Sequence, residues 1–411
     1  MTTISDLPRN LVARILSRVP LTSMRRVRFT CKRWNTISKD PSFAKTYFGK
    51  AARQFIMMSQ SRVSLMSVKF HGDGNEGELA DTYMKGIGKL TSLNNLDQVE
   101  ISKVFHWNGL LLCLTKDKTR LTRLVVWNPY LGQTRWIKPR HAFHRLDVYA
   151  LGYDKNLKTH IILRFVDSYE PAVKHSIIEH EIFDLKSNAW RVLDVTPDWE
   201  IDCYQRGVSL KGSTYFFAKE KIVVEGDDVV VIEDFKEFLI CFDFTSERFG
   251  PRLPLPFHSY NGETVTLSSV GEEQLAVLYQ RDTCLMEIWV TNKIEPDVVS
   301  WRSKVFLAVD MEPLTGSFIP FAFFAGSFFI DEEKKIAVVF DKDQEEINDR
   351  AYMIGENGYY KEVDLGYMNG YYQQQVDPRG PDPVFPLVCS YSPSLVTIPQ
   401  GTRGKRKERD Y

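Results

Sequence analysis

One pattern recurs along most of the chain and constrains the fold more than any other feature. It consists of an apolar strand, a turn that contains Asp or Asn, and an aromatic residue near the start of the next strand. The pattern occupies residues 125–137, 180–193, 239–253, 286–305 and 351–363. A further apolar strand precedes each copy, at residues 109–113, 160–163, 213–217, 274–278 and 335–339. Because successive units start roughly 50 to 60 residues apart, the sequence indicates one sheet unit repeated around a ring.

The strand types within each unit predict how the unit is built. A near-continuous apolar strand is typical of an inner position buried on both faces, and the aromatic hairpin suits the outer strands. Three strands remain unassigned, at residues 65–70, 99–106 and 394–398. Joining them would make one further blade from both ends of the chain and leave no exposed sheet edge. We therefore predict an all-β propeller of about six blades, with five and seven as alternatives.

A compact helical segment lies in front of these strands, at residues 5–43. Pro8 falls in the first turn of a helix, where its missing N–H costs nothing, and Pro20 ends the run. Leu11, Ile15 and Val19 recur every four residues and therefore share one helix face. The predicted fold class is thus α+β multidomain, a small helical domain followed by an all-β propeller.

Two further short helices are predicted in this segment. One begins at about Thr22, whose hydroxyl can cap it, and the next holds Trp34 and Ile37. So short a unit has more apolar side chains than it can bury alone. Since a closed ring that uses both chain ends leaves little room to cover them, we expect an external partner protein.

The helical segment resembles an F-box over almost its whole length. The matching string is LPRNLVARILSRVPLTSMRRVRFTCKRWNTISKDPSF, with its Leu-Pro start, its Val-Pro pair and its Cys-Lys-Arg-Trp sequence. The resemblance implies that certain positions either dock a Skp-type adaptor or pack the motif behind the docking surface: Leu7, Pro8, Leu11, Ile15, Leu16, Val19, Pro20, Val27, Cys31, Trp34 and Ile37. The alternative is a helical cap that only covers the β domain.

The remaining chain resembles the F-box-associated, kelch-like domain of plant F-box proteins. The landmarks are the sequences NGLLLC (108–113), VWNP (126–129), LGYD (151–154) and YSPSL (391–395), although the double glycines of true kelch repeats are missing. The predicted divisions are an F-box at 1–48, a linker at 49–61, the propeller at 62–400 and a basic disordered tail at 401–411.

Together the two resemblances imply a substrate-receptor subunit of a cullin-RING (SCF-type) ubiquitin ligase. The F-box would bind the Skp-type adaptor, cullin and RING subunits would be contacted indirectly, and the propeller would hold an unknown target protein. Such a subunit is not an enzyme and needs no cofactor. The alternatives are an F-box scaffold or small-molecule sensor that acts outside a ligase, and a propeller enzyme with a fused helical cap.

Composition narrows the possible partners. The chain has 53 basic and 53 acidic residues, so its net charge gives no reason to expect nucleic acid or an anionic membrane as a partner. The six cysteines are scattered without a C-x-x-C pair, which favours buried free thiols. No signal-peptide pattern and no long apolar run is present, and we expect a cytoplasmic or nuclear protein.

Four short sequences resemble catalytic or metal sites, and each has a simpler interpretation. His141 and His144 lack further ligands nearby, and residues 73–78 are too short for a calcium loop. The sequence Glu179-His180-Glu181 is interpreted as the solvated edge of a strand. Residues 86–89, with two glycines and a lysine, lack the spacing of a phosphate loop and are interpreted as a turn. The sequence thus predicts no metal site.

Three segments are candidates for contacts with a target or a transport factor. The acidic run at 225–234 is either a solvated loop or a contact for a basic substrate. The aromatic stretch at 367–372 is either a target contact or a blade connection. The basic tail at 403–409 is either a disordered end or a nuclear import signal.

Overall fold

The structure is a computed structural model. It describes residues 7–49, 54–59, 62–69, 83–89, 100–116, 122–140, 146–170, 175–202, 205–221, 236–260, 263–281, 284–315, 326–342, 349–365 and 387–400. The segments at 73–78, 141–144, 225–234, 367–372 and 403–409, for which the sequence suggested special roles, lie outside these ranges. Among the described helices, none combines the length and apolar character needed to cross a bilayer.

Four helices form the N-terminal helical domain. They are α1 (Arg9–Leu16), α2 (Leu21–Thr30), α3 (Lys32–Ser38) and α4 (Pro41–Gly49). Prolines precede the first two helices. Pro20 occupies the N-cap position of α2 and Thr22 lies inside the helix, so the predicted Thr22 cap is wrong. The third helix contains Trp34 and Ile37 as predicted, and α4 extends the domain beyond the predicted three helices.

Six antiparallel sheets follow, and we number them as blades I to VI. The first half of the ring contains these strands: blade I has β1 (Gln54–Ser59), β2 (Arg62–Lys69) and β3 (Tyr83–Lys89); blade II has β4 (Glu100–Trp107), β5 (Leu110–Lys116), β6 (Thr122–Asn128) and β7 (Gln133–Ile137); blade III has β8 (Val148–Asp154), β9 (Thr159–Glu170), β10 (His175–Asp184) and β11 (Ala189–Val192). Residues 86–89 therefore belong to β3, and the prediction that they form a turn is wrong. They pair with β2, and the register shifts between Gly86 and Gly88.

The second half of the ring contains split strands in two blades. Blade IV has β12 (Trp199–Glu200), β13 (Val208–Leu210), β14 (Ser213–Glu220), β15 (Glu237–Asp243) and β16 (Arg248–Phe249); blade V has β17 (Thr264–Val270), β18 (Gln274–Gln280), β19 (Leu285–Glu295), β20 (Val298–Trp301), β21 (Leu307–Asp310) and then α5 (Glu312–Thr315); blade VI has β22 (Ser327–Asp331), β23 (Ile336–Lys342), β24 (Asp349–Gly355), a 3₁₀ turn (Glu356–Gly358) and β25 (Tyr360–Asp364). The last strand, β26 (Leu387–Ser390), returns to blade I. The predicted six blades are confirmed.

The second strands of blades II to V are buried along most of their length. Residues 110–114, 161–163, 215–218 and 275–279 are buried between a first and a third strand. First strands β4, β13, β17 and β22, together with β26, lie further in and line the central channel. The apolar second strands are therefore not the innermost, although they are buried on both faces as predicted. The predicted aromatic hairpins form the third and fourth strands.

A repeated turn explains why Asp and Asn recur at the strand ends. The carboxylate of Asp184 accepts a hydrogen bond from the backbone N–H of Lys186 at 2.7 Å, and Asn188 has a φ of 58°. Asp154 and Asp243 accept similar bonds from the residues two positions later. A left-handed residue again follows each aspartate by four positions, at Lys158 and Glu247. The side chain stabilises the turn by mimicking a backbone hydrogen bond, which is why short polar residues are needed there.

The ring closes through blade I, which is built from both ends of the chain. β26 pairs antiparallel with β1, and Cys389 lies opposite Ile56. Three details differ from the prediction: the closing strand is 387–390, residues 100–107 start blade II, and the predicted linker at 49–61 contains β1. Residues 394–399 run along blade II instead, because the amide of Asn128 and the guanidinium of Arg135 donate to their carbonyls.

The helical domain packs directly on the ring, contrary to the expectation that the ring leaves little room to cover it. Val12, Leu16 and Met24 belong to one buried cluster with Trp127 and Tyr130 of blade II. Gly132 shows how close the approach is, since a Cβ there would lie 2.8 Å from the Arg25 side chain. The apolar surface of the helices is therefore divided between the ring and solvent.

Candidate functional site

The first helix has an exposed apolar face. The side chains of Leu11 and Ile15 are 39% and 44% exposed, whereas Val12 and Leu16 on the adjacent face are 1% exposed. Leu11 and Ile15 lie one helical turn apart and form a single stripe. This face is what the ring leaves uncovered, and it can bind an apolar partner surface.

The residues assigned to the F-box by resemblance fall into three groups in the structure. Pro8, Leu11, Ile15 and Pro20 are exposed. Leu7, Val19, Val27, Cys31 and Trp34 are half-buried, and Leu16 and Ile37 are buried. The structure thus separates residues that a partner can reach from residues that pack the domain.

Phe29 is an exposed residue absent from that set. Its side chain is 80% exposed, and the guanidinium of Arg25 lies 5.9 Å from its ring centroid. The F-box resemblance did not point to this residue. The available signal was its spacing, because it lies five residues from the buried Met24 and therefore faces away from it.

Arg28 fixes the helical domain to blade II. Its guanidinium donates to the hydroxyl of Ser38 at 2.9 Å and to the backbone carbonyl of Tyr130, and it lies 3.9 Å from the Tyr130 ring centroid. The Tyr130 hydroxyl donates in turn to the Ser38 carbonyl at 2.6 Å. Burial lowers the pKa of Arg28, and burial also raises the pKa of Tyr130. These contacts set the direction in which the exposed face of α1 points.

A second charged cluster lies inside blade III. Arg164 is almost fully buried and donates to Asp147 at 2.9 Å and to Glu181 at 2.5 Å. Burial alone would lower the pKa of Arg164, but the two carboxylates raise it above its usual value. The predicted solvated edge at 179–181 is therefore wrong for Glu181, because Arg164 draws it inward.

His180 is also buried, on the opposite face of the same strand. Its ring stacks on Phe165 with centroids 5.6 Å apart. Burial lowers the pKa of His180 to about 4, and it does the same for His106 and His160. These imidazoles are neutral near pH 7 and act as packing groups.

The titratable group with the largest upward pKa change among the described carboxylates is Glu237. Burial, and next the nearby Glu263, raise its pKa to about 8. One of its carboxyl oxygens is buried and has no hydrogen-bond partner in the described part of the chain. Such a carboxyl lowers the stability of the fold once it ionises.

Within the described ranges no group of three or more His, Cys, Asp or Glu side chains could hold a metal ion. Cys113, Cys241 and Cys284 are buried free thiols, as predicted, and Cys31 and Cys389 are half-buried. The central channel, lined by the first strands of the blades, holds a cavity of about 80 Å³. This volume lies below the range of about 300–1,000 Å³ that is usual for small-molecule sites.

The fold and the exposed face define the class of this molecule: a small helical domain of F-box type fused to a six-bladed propeller. Residues 4–46 match the family model of the F-box domain, and residues 54–398 match that of the F-box associated beta propeller domain. The chain therefore belongs to the plant F-box proteins that have an F-box-associated propeller. Proteins of this kind are typically non-catalytic adaptors.

Relatives with the same organisation match along the whole chain. A putative F-box protein of Arabidopsis thaliana is 77% identical, with all of both chains aligned. An F-box/kelch-repeat protein of the same plant is 52% identical over 97% of this chain and 100% of its own. Among solved structures, TolB from Acinetobacter baumannii is similar at 11% identity with a TM-score of 0.41, over 76% of this chain and 63% of that one.

Proposed function

We propose that this protein is the substrate receptor of an SCF-type cullin-RING ubiquitin ligase in the cytoplasm or nucleus. The F-box binds a Skp-type adaptor, and through it the cullin and RING subunits, while the propeller holds a target protein. The observation that carries the proposal is the exposed stripe of Leu11 and Ile15 on an F-box otherwise packed against the ring.

No reactive side chain is needed for this role. Holding a target near a charged conjugating enzyme raises its effective concentration, and this alone accelerates transfer. The receptor must instead keep its two binding surfaces in a fixed relation. The contacts of Arg28 and Tyr130 between the F-box and blade II provide that rigidity.

The proposal is tested by purifying the chain together with a Skp-type adaptor. We expect a one-to-one complex, and we expect Leu11→Ala and Ile15→Ala each to weaken it by about tenfold, as truncation of a buried interface residue does. Leu157→Ala is the matched control, because Leu157 is 52% exposed and lies on blade III of the ring. Failure of the wild type to bind the adaptor, or equal weakening by all three variants, would refute the proposal.

A further inference from the structure

A cleft in blade V lies on the face of the ring opposite the F-box. Neighbouring strands of a blade are antiparallel. The starts of the first and third strands and the end of the second strand therefore all lie on the same face of the ring. The cleft uses Glu263 just before β17, Tyr279 at the end of β18 and Glu287 near the start of β19. The F-box contacts Tyr130 in the turn between a third and a fourth strand, which lies on the other face.

Aromatic side chains form the walls of this blade V cleft. Phe257 and Tyr279 stack with centroids 4.1 Å apart and planes 6° apart. Tyr260 and Trp289 also line it, and Tyr260 is 53% exposed. The volume is about 490 Å³, within the range of about 300–1,000 Å³ of ligand pockets. Flat aromatic faces in a cleft of this size attract cations through their π-electrons.

Two carboxylates lie among these rings. Glu263 is held in place, since the Tyr279 hydroxyl donates to it at 2.5 Å and the Tyr260 backbone N–H donates at 2.8 Å. Glu287 is 15% exposed, and its buried Oε2 atom accepts no hydrogen bond from the described residues. A buried carboxylate oxygen without a donor is costly and favours a ligand that supplies one.

A cation from the protein itself already lies at the edge of the cleft. The guanidinium of Arg281 is 5.5 Å from the Tyr279 ring centroid and 3.6 Å from Glu287 Oε2, too far for a hydrogen bond. Its side chain is 45% exposed and can move away. Arg281 therefore shows which chemistry the cleft accommodates, without satisfying Glu287.

The indole of Trp289 supplies a neutral donor. Its N–H is buried and has no acceptor among the described residues. Val277 lies opposite Trp289 in the β18–β19 ladder, two positions from the pair formed by Tyr279 and Glu287. A peptide carbonyl beside a bound side chain is the natural acceptor for this N–H.

We propose that the blade V cleft binds an arginine side chain in an extended segment of the target protein, an inference that rests on the proposed receptor function. The guanidinium stacks on the aromatic walls and donates to Glu287, and Trp289 donates to the adjacent backbone carbonyl. Arginine fits better than lysine, because a planar guanidinium can stack and pair with a carboxylate at the same time. Arg281 competes with the ligand for Glu287.

The test uses the full chain and fluorescein-labelled pentapeptides with arginine, citrulline, lysine or glutamate between glycines, titrated to millimolar concentration by fluorescence anisotropy. We expect the arginine peptide to bind at least about tenfold more tightly than the citrulline peptide, the loss usual for a charged hydrogen bond. Glu287→Gln should weaken arginine binding about tenfold. Arg281→Met should strengthen it severalfold, a gain that a folding defect cannot produce.

Glu295→Gln is the matched control, since Glu295 lies on the same strand but pairs with Lys293 outside the cleft. Equal binding of arginine and citrulline peptides, tighter binding of the glutamate peptide, equal effects of the two glutamine variants or no binding at all would overturn the inference. Equal binding of lysine would overturn its choice of arginine. Adaptor binding is measured on the same preparations, so a failed receptor function appears as lost adaptor binding with peptide binding intact.

Discussion

The contact between Arg28 and Tyr130 makes a measurable prediction about how firmly the F-box is held on the ring. We consider a double-mutant cycle of Arg28→Met and Tyr130→Leu. The hydrogen bond from Arg28 goes to the backbone carbonyl of Tyr130 and survives Tyr130→Leu. The bond from the Tyr130 hydroxyl to Ser38 is lost in both arms that contain Tyr130→Leu and therefore cancels. The cycle isolates the guanidinium stacked 3.9 Å from the ring centroid.

The structure gives the expected size of each effect. A desolvated cation–π contact contributes about 2 kcal/mol, so this is the expected coupling energy. Arg28→Met alone also removes charged hydrogen bonds to Ser38 and to the Tyr130 carbonyl, and we expect a total cost of about 3–4 kcal/mol. In the Tyr130→Leu background the same substitution should cost only about 1–2 kcal/mol, since the stacking is already gone.

Hydrogen–deuterium exchange measures these free energies, because the backbone amides of residues 21–38 exchange when the helices open. The full chain is labelled, and peptides from these residues are followed. About 1.4 kcal/mol corresponds to a factor of ten in the exchange rate, so Arg28→Met should speed exchange by roughly 100-fold or more. In the Tyr130→Leu background, the acceleration caused by Arg28→Met should be about 30-fold smaller than in the wild type. Arg26→Met, at an exposed arginine of the same helix, should change little. An equal effect of Arg28→Met in both backgrounds would show that the stacking of Arg28 on the Tyr130 side chain contributes nothing.

Four further substitutions, one of them a control, test the ring itself by chemical denaturation. Gly152→Ala should destabilise the fold by about 3 kcal/mol or more, because its Cβ would lie 2.0 Å from the buried Phe244 ring. Gly271→Ala is the control: its Cβ meets no atom within 4 Å, so the fold should lose only about 1 kcal/mol of stability from the positive φ at this position. Arg164→Met should cost about 3–5 kcal/mol, since it leaves buried carboxylates without their cation; a neutral result would contradict the charge argument. The pKa of Glu237 is about 8 in the folded protein and 4.5 ordinarily, so the stability of the wild type should fall as the pH rises between these values. Glu237→Gln should therefore be more stable than the wild type by about 1–3 kcal/mol at pH 9 and equally stable at pH 4. Parallel pH curves for the two proteins would show that Glu237 does not titrate in this way.

Local patterns in the sequence predicted the repeated unit of the ring well. The apolar second strands and the aspartate-containing turns are properties of neighbouring residues, and both are found where expected. The blade number followed from counting these units. The identity of the closing strand did not, because residues 387–390 and 394–398 are both short and apolar, and their different partners lie more than 250 residues away in the sequence.

The errors have a common physical cause in side chains whose partners are distant. Glu181 was expected in solvent because alternation along a strand does not reveal Arg164 on the adjacent strand. Likewise, the helical pattern showed that Leu16 and Leu11 are apolar but not which of them the ring covers. The blade V cleft was missed entirely, since its residues come from three separate segments that only the folded blade brings together.

The return of β26 to blade I has a consequence for synthesis of the protein on the ribosome. β1 emerges early, yet the strand that pairs with its free edge is encoded more than 300 residues later. At about 5–20 residues per second, that edge stays unpaired for roughly 20 to 70 seconds. During this interval the nascent chain presents an open strand to which chaperones, or another copy of the chain, can add. Premature stop codons before residue 387 would make this exposure permanent, so truncated products should aggregate or be degraded even when five complete blades precede the stop.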